Sequence, residues 1–184
     1  VLGGILRATV GELFPAGVRF GDIVRGLPVP DRSAAAVYCS HVLEHLARDE
    51  MPIALRNTLR ILVPGGVFRL VVPDLRWRVC RYLDAAEVND PTAADQLIAS
   101  CYLGVRRGPK TFIDIAKGIW GNSRHLWMYD FAGLKLLLED AGFTAIRRCE
   151  LGDAHDAMFY LVEDPARFVD DGQRELTVEA VRPA

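Results

Sequence analysis

Four histidines stand in 184 residues, and two of them share one short stretch, His41-Val42-Leu43-Glu44-His45. That spelling, H-x-x-E-H, is the inverted zinc-hydrolase motif: on a helix its two imidazoles share a face, and the glutamate between them serves as general base. The match is short, and the flanking residues argue against it. A buried-strand pattern precedes it and a Pro-Gly-Gly strand follows it, so no metal is expected there. His125 is the third candidate, in His125-Leu126-Trp127-Met128-Tyr129-Asp130. Histidine titrates near working pH, so His41 and His125 are the side chains suited to general acid–base catalysis. Structural, hydrogen-bonded roles for both remain open, and His155 reads as a loop residue.

A second group is aromatic and cationic. Trp77, Trp120 and Trp127 occur with Arg76, Arg78, Arg106, Arg107, Lys110, Lys117 and Arg124. Trp120, Arg124 and Trp127 are candidates for holding a sugar or an anionic acceptor. The bland alternative, tryptophans filling a small core beneath a solvated cationic face, stands beside it. The net charge of −2 argues against a nucleic-acid or acidic-membrane partner, so the expected partner is a small-molecule substrate. Cys39, Cys80, Cys101 and Cys149 form no CxxC pair, which suits a reducing, cytoplasmic setting. The longest apolar run, Leu59 to Val72, is broken by Arg60, Pro64, Gly65, Gly66 and Arg69, so no membrane span is expected.

These residues need elements to position them. Val18 to Asp22 has a short β-like pattern, followed by a loop with Pro28 and Pro30. Ala34 to Cys39 is a continuous apolar run of the kind buried on both faces. Met51, Leu55, Leu59 and Leu62 recur at helical spacing, which predicts a helix over 49–62 capped by Asp49 and stopped by Pro64-Gly65-Gly66. Val67 to Val72 is a second buried strand. Strand, helix, strand with short links is a βαβ unit, so a parallel sheet covered by helices is expected. Residues 75–124 read as a mainly helical insertion, with Tyr82, Leu83 and Leu97 to Leu103 as buried faces. A helix then spans Phe131 to Ala141 and stops at Gly142. Ala145 to Leu151 and Glu175 to Val181 alternate as strands, the last setting Leu176, Val178 and Ala180 against Thr177, Glu179 and Val181. A single domain covers 1–184.

Four segments, in order, carry a resemblance. They are Gly21-Asp22-Ile23 with Leu27-Pro28-Val29-Pro30-Asp31, Val37 through Leu46, Arg60 through Phe68, and His125 through Asp130 leading into Leu137 to Phe143. Together they resemble a class I S-adenosylmethionine-dependent methyltransferase, of a branch found among sugar and cell-surface biosynthesis enzymes. The resemblance implies an α/β fold: a three-layer αβα sandwich with a mostly parallel, Rossmann-like sheet and an antiparallel last strand. It implies S-adenosylmethionine as cofactor, with Asp22 accepting from the adenine amino group, Ile23 packing on the ring, and Ser40 and His41 lining the methionine end. Strand-end ligation agrees with where open α/β sheets bind, although Asp22 as a turn cap and Ser40 as a helix cap are also open. The implied activity is methyl transfer to a hydroxyl of a saccharide or secondary metabolite. A methyltransferase-like binding or scaffold domain without catalysis is the alternative.

One departure matters. The family's first strand ends in a glycine loop, yet no G-x-G occurs in the 184 residues. Gly3-Gly4 lies too close to Asp22 for a strand, helix and second strand between them, and Glu12 is a poor candidate for the ribose-binding acid. The expectation is that the chain, which begins at Val1, lacks its N-terminal part; a degenerate cofactor site is the alternative.

Overall fold

The computed structural model describes residues 17–104, 124–170 and 172–184. Gly3-Gly4, Glu12, Arg106, Arg107, Lys110, Lys117 and Trp120 lie outside the described residues. Strand β1 (Ala34–Ser40) leads to helix α1 (Met51–Ile61) and strand β2 (Leu62–Pro73). Helices α2 (Leu75–Glu87) and α3 (Ala93–Ser100) follow, then α4 (Phe131–Ala141) and β3 (Thr144–Cys149). The two-residue β4 (Val169–Asp170) and the long β5 (Gln173–Val181) complete the described elements. No described helix is long and apolar enough to cross a membrane.

The strand order is β1-β2-β5-β3, with β4 on β5. β1 and β2 are parallel, as the βαβ reading requires, and β5 runs antiparallel to β2, β3 and β4. The described sheet is therefore mixed, with the last strand inserted antiparallel in its middle. Strand alternation sorts its residues onto two faces. Phe68, Leu70 and Val72 of β2 stand opposite Ala180, Val178 and Leu176 of β5. They join Met51 and Leu55 of α1 and Leu134, Leu137 and Leu138 of α4 in one apolar core. On the other face lie Arg69, Glu175, Thr177 and Glu179, all buried. α2 and the segment around Phe159 and Phe168 cover that face: Arg78 of α2 pairs with Glu175, and both rings lie near the Arg69 guanidinium. Helices, sheet and cover make the three layers of an α/β sandwich.

Several local expectations are corrected. Val18 to Asp22 forms no strand. Asp22 bridges only to Gly26, because its carboxylate Oδ1 accepts from the Val24 and Arg25 amides (2.9 and 3.1 Å) and closes a tight turn. Asp49 does not cap α1; Glu50 occupies the cap position, with its carboxylate accepting from Ala47 N. The far end of α1 is closed by Arg182, whose Nη1 donates to the carbonyls of Leu59, Arg60 and Leu62 at 2.8, 3.1 and 2.7 Å. Pro64-Gly65-Gly66 belongs to β2 itself, as a bulge against Ala34 to Ala36. A Cβ on Gly66 would meet Val63 O at 2.8 Å and Ala35 O at 3.1 Å, so backbone proximity requires glycine there. β1 has one neighbour among the described residues, and only Cys39 of it is fully buried. Leu83, Tyr102 and Leu103 are exposed rather than core. α2 and α3 pack on each other, with Arg78 Nε donating to Ser100 O at 3.1 Å, and leave a cleft of about 540 Å³ lined in part by Tyr82 and Leu97.

Candidate functional site

Parallel strands aim their carboxyl ends at one edge of the sheet, and the loops there hold the polar residues of this chain. β1 ends in Ser40-His41. The His41 amide donates to Val71 O of β2 (3.0 Å), and its backbone then turns left-handed (φ 53°), a conformation costing on the order of 1 kcal/mol for a non-glycine residue. That turn throws the chain off the strand. Ser40 Oγ and His41 Nδ1 lie 2.9 Å apart, so the hydroxyl orients the imidazole.

Leu43–His45 is a single 3₁₀ turn. The helix that an H-x-x-E-H metal site needs is absent at this position, so His41 and His45 do not present the shared face of that motif. The turn instead serves as a docking post. The Leu126 and Trp127 amides donate to Glu44 O at 2.7 and 3.1 Å, and His45 Nδ1 lies 2.9 Å from Arg124 O. A segment eighty residues away is thereby fastened to the end of β1, and it carries His125. The His45 and His125 rings sit edge to face, 5.2 Å between centroids, with Tyr102 5.0 Å from His125 on another side.

Glu44 is the residue that sequence reasoning undervalued. Its side chain is fully buried, and no hydrogen bond from another residue reaches either carboxylate oxygen. Burial pushes the carboxyl up to about 7, its own backbone amide opposing and Glu175 adding to the rise. His125 shifts the other way. Burial, and then His45, push it down to about 4, against a hydrogen bond to the Cys101 backbone. It is therefore neutral at pH 7, and its buried Nδ1 has no partner. Tyr129, whose backbone bridges to Asp74 just past β2, adds a buried hydroxyl without a partner. Burial holds that phenol up at about 12. The only advance signal for Glu44 was its place between two histidines.

The remaining expected residues are dispersed. Asp22 spends Oδ1 on its own turn, while Oδ2 lies 3.4 Å from Arg25 Nε at a partly exposed position. Ile23 packs against the apolar core, with its carbonyl held by Asn57 Nδ2 of α1 at 3.0 Å. Arg124 is exposed and contributes its carbonyl to His45. Trp127 is exposed, with the Arg48 guanidinium 5.8 Å over its ring. The 540 Å³ cleft between α2 and α3, with Trp77, Arg81 and Asp90 on its walls, includes none of Asp22, His41, Glu44 and His125.

For S-adenosylmethionine, the described residues fit in part. Ser40 and His41 offer a hydroxyl and an imidazole at a strand's carboxyl end, whereas both carboxylate oxygens of Asp22 have neighbours, Oδ1 in its own turn and Oδ2 at Arg25. A glycine loop is not among the described residues. Comparison with known proteins agrees in kind. Residues 11–148 match the methyltransferase domain family. A probable methyltransferase, ltbC of Aspergillus luteorubrus, is 34% identical over 64 residues, covering 33% of this chain and 22% of that protein. A human N-acetylserotonin methyltransferase in complex with S-adenosylmethionine aligns over 90% of this chain and 33% of its own, at 14% identity and a TM-score of 0.45. An S-adenosylmethionine-dependent methyltransferase from Archaeoglobus fulgidus aligns over 90% and 67%, at 16% identity and a TM-score of 0.46. The chain thus spans about a fifth of the curated relative's length. With its family signature running from before the Asp22 turn to β3, this chain belongs to the methyltransferase domain family.

Proposed function

We propose that the protein transfers a methyl group from S-adenosylmethionine to an oxygen of a small molecule, a hydroxyl of a saccharide or secondary metabolite. Family membership supports the donor, whose sulfonium supplies an already activated methyl group. The residues' task is then to hold the acceptor in line and to manage one proton. The observation that supports this reading is the Ser40–His41 pair at the carboxyl end of β1, with the segment carrying His125 docked on the turn that follows it. Ser40 fixes the His41 ring, and His125 stays neutral at pH 7 and so can accept a hydrogen bond from a hydroxyl. Ser40, His41, Asp22 and Ile23 bind the donor in this reading; Trp120, Arg124 and Trp127 contact the acceptor.

Titrating S-adenosylhomocysteine calorimetrically into the protein at its natural length, beside Asp22→Ala, tests the proposal. Micromolar binding that weakens in the variant is the expected result. A folded protein that binds none of it would refute methyl transfer and leave a binding or scaffold domain of methyltransferase shape.

A further inference from the structure

We propose that Glu44, His45 and His125 form a binding site for one divalent cation of the zinc type. The inference goes beyond methyl transfer and does not depend on it; with the ion bound, His125 Nδ1 ligates it, and an acceptor hydroxyl would meet the ion's open position instead of that nitrogen. One ligand atom from each residue lies within 4.8 Å of the other two, in a group drawn from two chain segments eighty residues apart. Glu44 Oε1 is 3.9 Å from His45 Nε2. Donors around zinc sit about 2.0–2.2 Å from the metal, hence roughly 3.3 Å from one another in a tetrahedron. Side-chain movements on the order of 1 Å would close the observed group to that spacing.

Three independent features favour a cation over a packing accident. Glu44 is fully buried, and both its oxygens lack hydrogen bonds from other residues, an arrangement that costs several kcal/mol for a carboxylate unless a cation or a proton compensates it. His125 Nδ1 is likewise buried and unpartnered. Each imidazole also uses its other nitrogen on a backbone carbonyl, His45 on Arg124 and His125 on Cys101. That is the arrangement by which metal-binding histidines are held in one tautomer and aimed at the ion. Two imidazoles and one carboxylate are a borderline-soft set that suits zinc rather than magnesium or calcium, which take oxygen cages. The His45 side chain is 28% exposed, which leaves a way in from solvent. Three protein donors leave a fourth position for water or an acceptor oxygen. The role of Glu44 here differs from that in the H-x-x-E-H motif, where the glutamate is a base and both of the motif's histidines are ligands.

The test is equilibrium dialysis of chelator-stripped protein against zinc, with metal content measured per chain, and cobalt substitution read by visible absorption. One equivalent of zinc is expected, with the intense visible bands of a four-coordinate cobalt site. Glu44→Gln, His45→Gln and His125→Gln should each lose about tenfold or more in affinity. His155→Gln and Cys80→Ser, at a loop histidine and an exposed thiol, should bind as the parent does. His45→Gln is the variant least able to disturb folding, because its side chain is part-exposed. A folded His45→Gln protein with unchanged zinc affinity would overturn the site, as would less than stoichiometric binding by the parent. Neither result bears on S-adenosylhomocysteine binding, so the two readings fail separately.

Discussion

Two buried glutamates, Glu179 and Glu44, show opposite ways of placing a carboxylate inside this protein. Glu179, 2% exposed, accepts from Arg69 Nη1 at 3.0 Å, Arg147 Nε and Nη2 at 3.0 and 2.6 Å, and the His155 amide at 3.0 Å. Arg69 in turn pairs with Glu163 and donates to the carbonyls of Asp153 and Glu150. Every charge there has a neighbour, and the network ties β2, β5 and the 150–163 segment together. Glu44, equally buried, has no such neighbours. A saturated network is a structural joint, because it has no capacity left for a ligand. An unsaturated one retains the cost of burial until something arrives to offset it.

The largest expected effect breaks the saturated side. Arg69→Ala leaves Glu163 and Glu179 buried without their shared cation, and should cost about 3–5 kcal/mol in urea unfolding. A loss below about 1 kcal/mol would show that Arg147 and solvent replace Arg69 at these carboxylates, and would weaken the contrast with Glu44.

A second prediction sharpens the unsaturated side, in metal-free protein. Glu44 is held at about 7 against an unfolded value near 4.5, so its stabilising protonated state is lost as pH rises through that window. His125 is held at about 4 against 6.5, so stability is lost as pH falls from 6.5 to 4. The two trends oppose each other and should leave the parent's melting temperature nearly flat between pH 4.5 and 6.5 as far as these groups decide it. Glu44→Gln should unmask a fall toward acid, and His125→Gln a rise. Glu175, Arg78, His45, Tyr129 and Cys39 face this pair and remain in both variants. Parallel profiles in all three proteins would mean that neither group is desolvated as described.

The smallest effect concerns thiols. Cys80 is exposed, whereas Cys39, Cys101 and Cys149 are buried, Cys39 with its thiol pushed up to about 12 by burial and then by Glu44. Iodoacetamide at pH 8 should label one cysteine quickly, read by intact mass. Fast labelling of Cys39 would place water beside Glu44 and weaken the picture of a sealed, uncompensated carboxylate.

Much of the scaffold was legible because its signals are local. The apolar run Ala34 to Cys39 became β1, and the i, i+3, i+4 apolar spacing in Phe131 to Ala141 became α4, ended by a left-handed Gly142. Alternation in Glu175 to Val181 lay inside β5 and assigned Leu176, Val178 and Ala180 to the core face. The Val18 to Asp22 strand was misread because a β-like composition over five residues cannot reveal that an aspartate will fold back onto the amides two and three residues on. The site was half legible. His41 and His125 stood out as residue types. That Glu44 would be sealed against His125 depends on a docking of 124–127 onto a 3₁₀ turn, and no periodicity encodes that contact. Arg182 closing α1 and Arg69 meeting Glu179 were hidden for the same reason: each joins residues more than a hundred positions apart.

The placement of β5 between β2 and β3 also sets a timetable for assembly. During synthesis β1, α1 and β2 emerge as a local unit, and β3 follows, yet their common partner is translated after all of them. Until residues 173–181 arrive, β2 presents Val67 to Pro73 as an open, strongly apolar edge, and β3 has no strand to join. Closing the sheet therefore waits on a long-range insertion, which is slow and leaves a sticky template exposed in the interval. A chain cut short before β5 would therefore be left with an aggregation-prone edge.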